Sequence, residues 1–291
     1  MEERKFQIMT DSGSDLPQEY FIEKNVECLK LGFILDGVEY HGENGEDISS
    51  EAFYERLRSG ALPTTYQIAP EIAKDHMQKH LENGIDVLAV VFSSALSGTA
   101  NSFSAAAKEL ALEYPDRKIF VVDSLCASLG QGLFVDYVVR KADEGATIEE
   151  TYAFAEELKL RISHQFTVND LFHLKRGGRV SSATAVVGTM MNIKPILHVD
   201  DAGRLISIGK VMGRKKSLRK LLENMIETAE LAKGDPVYIS HGDCLDDAEC
   251  LKSMVEKNFP ENPITVNYIG PVIGSHSGCG TVALFFKAKK R

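Results

Sequence analysis

A hydroxyl-rich turn follows the longest apolar run of the chain, and its residue types suit the binding of an anion. The strand-like segment 85–92 leads directly into Ser93-Ser94-Ala95-Leu96-Ser97-Gly98-Thr99. This turn opens a predicted helix, and the first N–H groups of a helix lack partners and favour negative charge. Ser97 and Thr99 add side-chain donors, and Gly98 permits close approach to the backbone. Alternatively, Ser97 is an ordinary helix N-cap and Gly98 only a turn residue.

Three further polar loops lie at the ends of predicted elements: 10–15 after the first strand, 63–67 before a helix, and 274–280, which we expect to lead into a C-terminal helix. Ligands of open α/β sheets gather where strands end, so we expect the four loops to converge on one cleft. Asp11 and Asp15 could form a metal pair or supply a nucleophile, but a turn and capping network explains them more simply. For His276, a functional and a structural role are equally open.

Two basic clusters follow in the second half of the chain. Arg176 and Arg179 flank a Gly-Gly turn ahead of a helix capped by Ser181 or Ser182. Guanidinium groups placed in this way can grip a phosphate or the carboxylates of a partner. The second cluster is Arg214-Lys215-Lys216. A solvated turn and a charged helix face are the simpler alternatives.

The elements that must position these loops alternate between strand and helix in the first half. Strands are predicted at 5–10, 26–35, 85–92 and 118–122, and helices at 17–24, 50–58, 71–81, 98–113, 129–142 and 148–160, with a loop at 61–68. This alternation predicts a mainly parallel, Rossmann-like sheet. Later strands are predicted at 163–168, 195–199, 204–211, 236–241 and 264–269, with one clear helix at 215–232. We therefore expect two α/β domains, residues 1–160 and a smaller one, 161–291.

The composition is that of an ordinary globular protein. The 291 residues are 44% hydrophobic, which suffices for a core in each domain. Lys and Arg number 33 against 42 Asp and Glu, and the net charge of −9 argues against nucleic acid and against an anionic membrane surface. Five cysteines without a C-x-x-C pair or metal spacing suit reduced thiols, so we expect neither disulfides nor a metal. No signal peptide or membrane span is evident, and we expect a cytoplasmic protein.

Seven motifs together resemble those of the DegV family, in the right order, over about residues 5–285. They are IMTDSGSDLP at 8–17, PTT at 63–65, SSALSGT at 93–99, VVDS at 121–124, LKRGGR at 174–179, NIKPIL at 192–197 and GSHSG at 274–278. The resemblance implies a non-catalytic, two-domain α/β protein that buries one long-chain fatty acid between its domains. In bacteria that have a fatty acid kinase, such a protein presents the carboxylate for phosphorylation to acyl phosphate. The bound fatty acid is the ligand, and no cofactor is implied.

The resemblance also implies roles for individual residues. Thr65 and the pair Ser94 and Ser97 match the positions that hold the carboxylate, and His276 matches the histidine near the head group. The basic positions near the opening correspond to Arg176 and Arg214. The family usually continues Thr-Ser-Gln-Pro, whereas Tyr66 follows Thr65 here. Both Thr64 and Thr65 therefore remain candidates for the carboxylate contact.

Elementary energetics suits this role. A tail of ~16 carbons gains about 0.8 kcal/mol per buried CH₂, or roughly 10 kcal/mol before ordering costs. A few neutral donors then suffice for the carboxylate, and they avoid the cost of burying a cation.

The rival hypothesis is an acyl-ester hydrolase with Ser94 or Ser97 as nucleophile and His276 as base. Neither serine lies in a Gly-x-Ser-x-Gly motif, and no acidic partner for His276 is evident. A nucleotide or sugar-phosphate binder would need a glycine-rich phosphate loop, and the sequence has none.

Overall fold

The computed structural model describes residues 4–40, 48–169, 171–180 and 192–291. The strands are β1 (Phe6–Asp11), β2 (Val26–Leu29), β3 (Gly32–Leu35), β4 (Val38–Tyr40), β5 (Thr64–Tyr66), β6 (Asp86–Val91), β7 (Ile119–Asp123), β8 (Ile162–Thr167), β9 (Ile193–Val199), β10 (Leu205–Met212), β11 (Val237–His241), β12 (Ile264–Tyr268) and β13 (Val282–Lys287). The helices are α1 (Gln18–Lys24), α2 (Ser50–Arg58), α3 (Pro70–Glu82), α4 (Thr99–Glu113), α5 (Leu129–Asp143), α6 (Ile148–Leu158), α7 (Phe172–Arg176), α8 (Arg214–Thr228), α9 (Leu245–Asn258) and α10 (Pro271–Ser277).

The strands form three sheets. The first is a parallel sheet in the order β2-β1-β6-β7, and β6 is buried along almost its whole length, as a strand covered by helices on both faces must be. The second has the order β10-β9-β8-β13-β11-β12, and only its β11–β12 pair is parallel. The third is a small antiparallel sheet, β4-β3-β5.

The α/β class and the parallel sheet predicted from the alternation are confirmed. Every strand of the parallel sheet precedes residue 160, and every strand of the six-stranded sheet follows it. The domain boundary at residue 160 stays a prediction.

Two predictions in the first half are wrong in detail. The segment 26–35 is two strands in two different sheets, because the chain leaves the parallel sheet after Leu29. The hydroxyl of Ser12 accepts a hydrogen bond from Leu31 N at 2.9 Å, a tertiary contact that holds the chain at this departure. The predicted loop 61–68 contains β5, whose pairing with β3 is equally non-local.

The second half differs at its C-terminal end. Residues after Gly280 form β13, a central strand, and His276 itself lies on the short helix α10. Short apolar runs do not reveal by periodicity whether they are buried strands or helices. The helix predicted at 215–232 ends at Thr228, and Ala229 then forms a bridge with Ala288. The helix predicted from Ser181 or Ser182 lies outside the described residues.

Asp11 and Asp15 hold loops in place, as the turn and capping interpretation predicts. Asp11 accepts hydrogen bonds from Gly13 N at 2.9 Å and from Phe92 N at 2.7 Å, which ties the first turn to the end of β6. Asp15 accepts from Gly270 N at 3.0 Å, just before α10. Among the described residues, no cluster of His, Cys, Asp or Glu is arranged to hold a metal ion. Nor does any helix within those ranges have the length and apolar character needed to cross a membrane.

Candidate functional site

A cavity of about 310 Å³ lies between residues from the two halves of the chain. Its size is in the range of small-molecule pockets. Most of its lining is apolar and includes Phe92, Leu96, Phe166, Val199, Leu205 and Phe285. The cavity is therefore suited to a long apolar ligand.

A group of polar residues shares this lining: Thr65, Ser97, Gly98, Arg179 and His276. The hydroxyl of Thr65 and Nε2 of His276 are 2.8 Å apart, and Arg179 Nε donates to the carbonyl of Leu96 at 3.2 Å. Three of the four predicted loops thus meet at the cavity. The fourth, with Asp11 and Asp15, supports the other loops from outside the lining.

Each polar residue is placed by its own element. Thr65 lies on β5 opposite Phe33 of β3. Ser97 closes a tight turn in which its N–H donates to Ser93 O at 3.0 Å. The Ser97 hydroxyl also accepts from Thr99 N at 3.3 Å, but the N-cap residue of α4 is Gly98, so Ser97 is not the ordinary N-cap that the alternative interpretation expected.

His276 is neutral in this setting. Burial, followed by the charges of Arg179 and Arg176, lowers the pKa of His276 from 6.5 to about 4. Its Nδ1 is buried without a hydrogen-bond partner in the part of the chain that the structure describes, and a Cβ at Gly177 would collide with it. Because an orphaned buried N–H is rarer than an orphaned acceptor, we assign the proton to Nε2. His276 then donates to Thr65, and the Thr65 hydroxyl can donate to a ligand.

Two predicted contact residues, Thr64 and Ser94, do not line the cavity. Both are exposed, and Ser94 N donates to Asp123 Oδ1 at 3.1 Å. Thr64 directly precedes Thr65 on β5, but its side chain is exposed, whereas Thr65 is partly buried and lines the cavity. The geometry favours Thr65 over Thr64 and Ser97 over Ser94.

The predicted rim arginines are engaged within the protein. Arg176 Nη2 donates to Pro63 O at 3.0 Å and to Ser275 O at 3.1 Å. Arg214 forms an ion pair with Asp247 at 2.8 Å and does not line the cavity. Their role in docking a partner or a phosphate stays a prediction, as does that of Arg179.

Tyr66 and Gln67, which belong to the predicted loop 63–67, also line the cavity, although neither was predicted as a contact residue. Gln67 donates to Ser102 Oγ at 3.1 Å and lies so close to Gly98 that a Cβ there would collide with it. The ring of Tyr66 lies in the same way against Gly32. Their position directly after Thr65 in the sequence is the feature that could have identified both residues.

The geometry does not support an acyl-transfer serine. A serine nucleophile needs a hydrogen-bonded base, which a third group orients. His276 Nε2 instead bonds Thr65, and the Ser97 hydroxyl pairs with Thr99 Oγ1 at 3.0 Å. No carboxylate among the described residues bonds Nδ1 of His276.

We predict that His276 titrates near pH 4 in the ligand-free protein, as measured by NMR of its ring nitrogens. Because folding lowers this pKa, His276 favours the folded state fully above about pH 6.5 and progressively less as the pH falls towards 4. An exposed histidine would titrate near 6.5. A midpoint near 6.5 in the folded protein would contradict the assignment of a neutral, buried ring.

The comparisons with known proteins agree on a single family. The family model described as "Uncharacterised protein, DegV family" matches residues 5–289. DegV domain-containing protein CPE0026 of Clostridium perfringens is 42% identical over 97% of both chains. A DegV family protein from Thermus thermophilus, whose structure is described by its fatty acid binding, is 33% identical with a TM-score of 0.87 over 98% of this chain and all of the other. DegV of Bacillus subtilis, described as a fatty acid binding protein, is 26% identical with a TM-score of 0.82 over 99% and 100%. The chain belongs to the DegV family.

Proposed function

We propose that this protein binds a long-chain fatty acid in the cavity, with the acyl chain against the apolar lining and the carboxylate at Thr65, Ser97 and His276. The observation that carries the proposal is the cavity itself: a largely apolar lining that also holds the hydrogen-bonded Thr65–His276 pair, with Ser97 and Arg179 in the same lining. The relatives from Thermus thermophilus and Bacillus subtilis, described by fatty acid binding, share the fold over nearly the whole chain and support it.

The apolar and the polar residues of the lining contribute to the binding free energy in different ways. The apolar residues supply most of the binding free energy, at about 0.8 kcal/mol for each CH₂ removed from water. The Thr65 and Ser97 hydroxyls and the N–H groups at the start of α4 are neutral donors, which suit an anion at a helix N-terminus. The neighbouring Arg179 adds a favourable charge near the carboxylate.

We infer that the protein is a carrier and that a separate fatty acid kinase phosphorylates the bound carboxylate to acyl phosphate. The absence of a base hydrogen-bonded to Ser97 among the described residues supports a binding role. The proposal places the carrier in the cytoplasm, where free cysteines such as its five persist, and includes no cofactor.

Mass spectrometry of lipid extracted from the purified protein tests the binding function. We expect close to one intact long-chain fatty acid per chain. The same preparation should show no hydrolysis of acyl esters above a boiled control. Protein free of lipid that also fails to take up added fatty acid would refute the proposal, and turnover of acyl esters would favour the hydrolase.

Two pairs of variants test the carboxylate contacts. Thr65→Val and Ser97→Ala should each weaken fatty-acid binding by about 1 to 3 kcal/mol, because each removes a donor to a partly buried anion. Thr64→Val and Ser94→Ala are the matched controls, since both side chains are exposed and lie outside the lining. We expect these controls to bind like the parent in a calorimetric titration. The reverse ranking would place the head group elsewhere.

The presentation step is tested with lipid-loaded protein, ATP and a bacterial fatty acid kinase. We expect acyl phosphate, trapped as the hydroxamate by hydroxylamine, only when all three are present. Free fatty acid at the same concentration is the control. Equal product from free fatty acid would show that the carrier presents nothing.

A further inference from the structure

We propose that residues 175–180, here called the clasp, position the three head-group residues, and that Arg176, Gly177 and Arg179 are its positioning residues. The inference rests on the proposed function, because it concerns how that site is held together. The clasp is the turn at the end of α7, and each of these three residues reaches a different part of the site.

Arg176 joins the segments that carry Thr65 and His276. One nitrogen, Nη2, donates to the carbonyl of Pro63, two residues before Thr65, and to that of Ser275, directly before His276. The Thr65–His276 hydrogen bond spans these same two segments. A charged donor shared by two carbonyls therefore fixes the separation on which that hydrogen bond depends.

Arg179 extends the same arrangement to the third head-group residue. Its Nε donates to the carbonyl of Leu96, directly before Ser97, at 3.2 Å. Its Nη1 donates to the carbonyl of Gly177, a hydrogen bond within the clasp that stabilises the turn. The backbone carbonyls beside Thr65, Ser97 and His276 are thus all held by two arginines of one turn.

Gly177 sets the environment of the imidazole. Its backbone lies so close to His276 that any Cβ would collide with Nδ1. This contact buries Nδ1 and leaves Nε2 as the one ring nitrogen that bonds Thr65. The clasp therefore fixes both the position and the neutral state of His276.

The clasp and a docking role predict different results for the same substitution. A cation that serves only a partner or a phosphate can be removed without changing the lipid site, because rim charges act mainly on encounter. A cation that holds two carbonyls of the site cannot be removed without disturbing the lipid site. Arg176→Met should weaken fatty-acid binding about tenfold or more, as Thr65 and His276 separate. It should also raise the pKa of His276 from about 4, but loss of the Arg176 charge contributes to that rise, so for this variant the affinity is the deciding measurement.

The test measures fatty-acid affinity by calorimetry and the His276 titration by NMR in the lipid-free protein. Gly177→Ala should shift both in the same direction as Arg176→Met. Arg176→Lys should retain most of the affinity, because one ammonium nitrogen can also donate to both carbonyls. Gly178→Asn is the matched control: Gly178 has a φ of +70° and open space around it, and asparagine tolerates that backbone. We expect the control to match the parent in both measurements.

The NMR measurement keeps the clasp distinct from fatty-acid binding itself. A parent that binds no fatty acid, with the His276 shift present in Gly177→Ala, would refute the function and leave the clasp standing. A binding parent whose affinity is unchanged in both Arg176→Met and Gly177→Ala, with the His276 titration unchanged in Gly177→Ala, would overturn the clasp. If Arg176→Met does not fold, Gly177→Ala still decides between these results.

Discussion

The buried carboxylate of Asp15 connects the first sheet to the helix that carries His276. This carboxylate accepts hydrogen bonds from Ser128 Oγ at 2.6 Å and from Gly270 N at 3.0 Å. The backbone carbonyl of Asp15 accepts a third hydrogen bond, from Asn267 Nδ2 at 2.9 Å. Burial raises the pKa of Asp15 to about 7. Ser128, which lines the cavity, has a φ of 55° and a ψ of −151°, a conformation rare outside glycine. The surrounding contacts must hold this strained residue, and in doing so they set where α10 begins.

From that start, the site is assembled by short connections. α10 brings His276 to Thr65 on a strand of the small third sheet, and Ser97 arrives on the turn after β6. The turn in question is itself anchored by Asp11 through Phe92 N. Two buried aspartates therefore support, from outside, a lining whose hydroxyl and imidazole donors are neutral. The position of both carboxylates outside the lining suits an anionic ligand, because like charges are kept away from it.

The sequence predicted the parts of the fold that local pattern controls. The alternation of strands and helices was enough for the parallel sheet, and the later strands fall within two residues of their predicted positions. The break between β2 and β3 was not predictable in this way, because it depends on the tertiary contact between Ser12 and Leu31. β13 is buried between two partners, so it carries no alternation to distinguish it from a helix.

The same limit applies to the candidate site. The residue types were sufficient to single out Thr65, Ser97 and His276, but choosing Thr65 over Thr64 required knowing which of the two side chains lines the cavity. The arginines show a different limit. The sequence shows that Arg176 and Arg179 are cations beside a glycine turn. It does not show whether the groups that accept their hydrogen bonds belong to a partner or, as for Arg176, to the chain itself.

Tyr66 and Gly32 restrict each other's evolution. The tyrosine ring occupies the space that a side chain at position 32 would need. A side chain at position 32 therefore requires the tyrosine ring to turn away or to be replaced by a smaller residue. Gln67 and Gly98 form a second such pair. A change at either glycine thus reaches the cavity through its neighbour, because Tyr66 and Gln67 both line it.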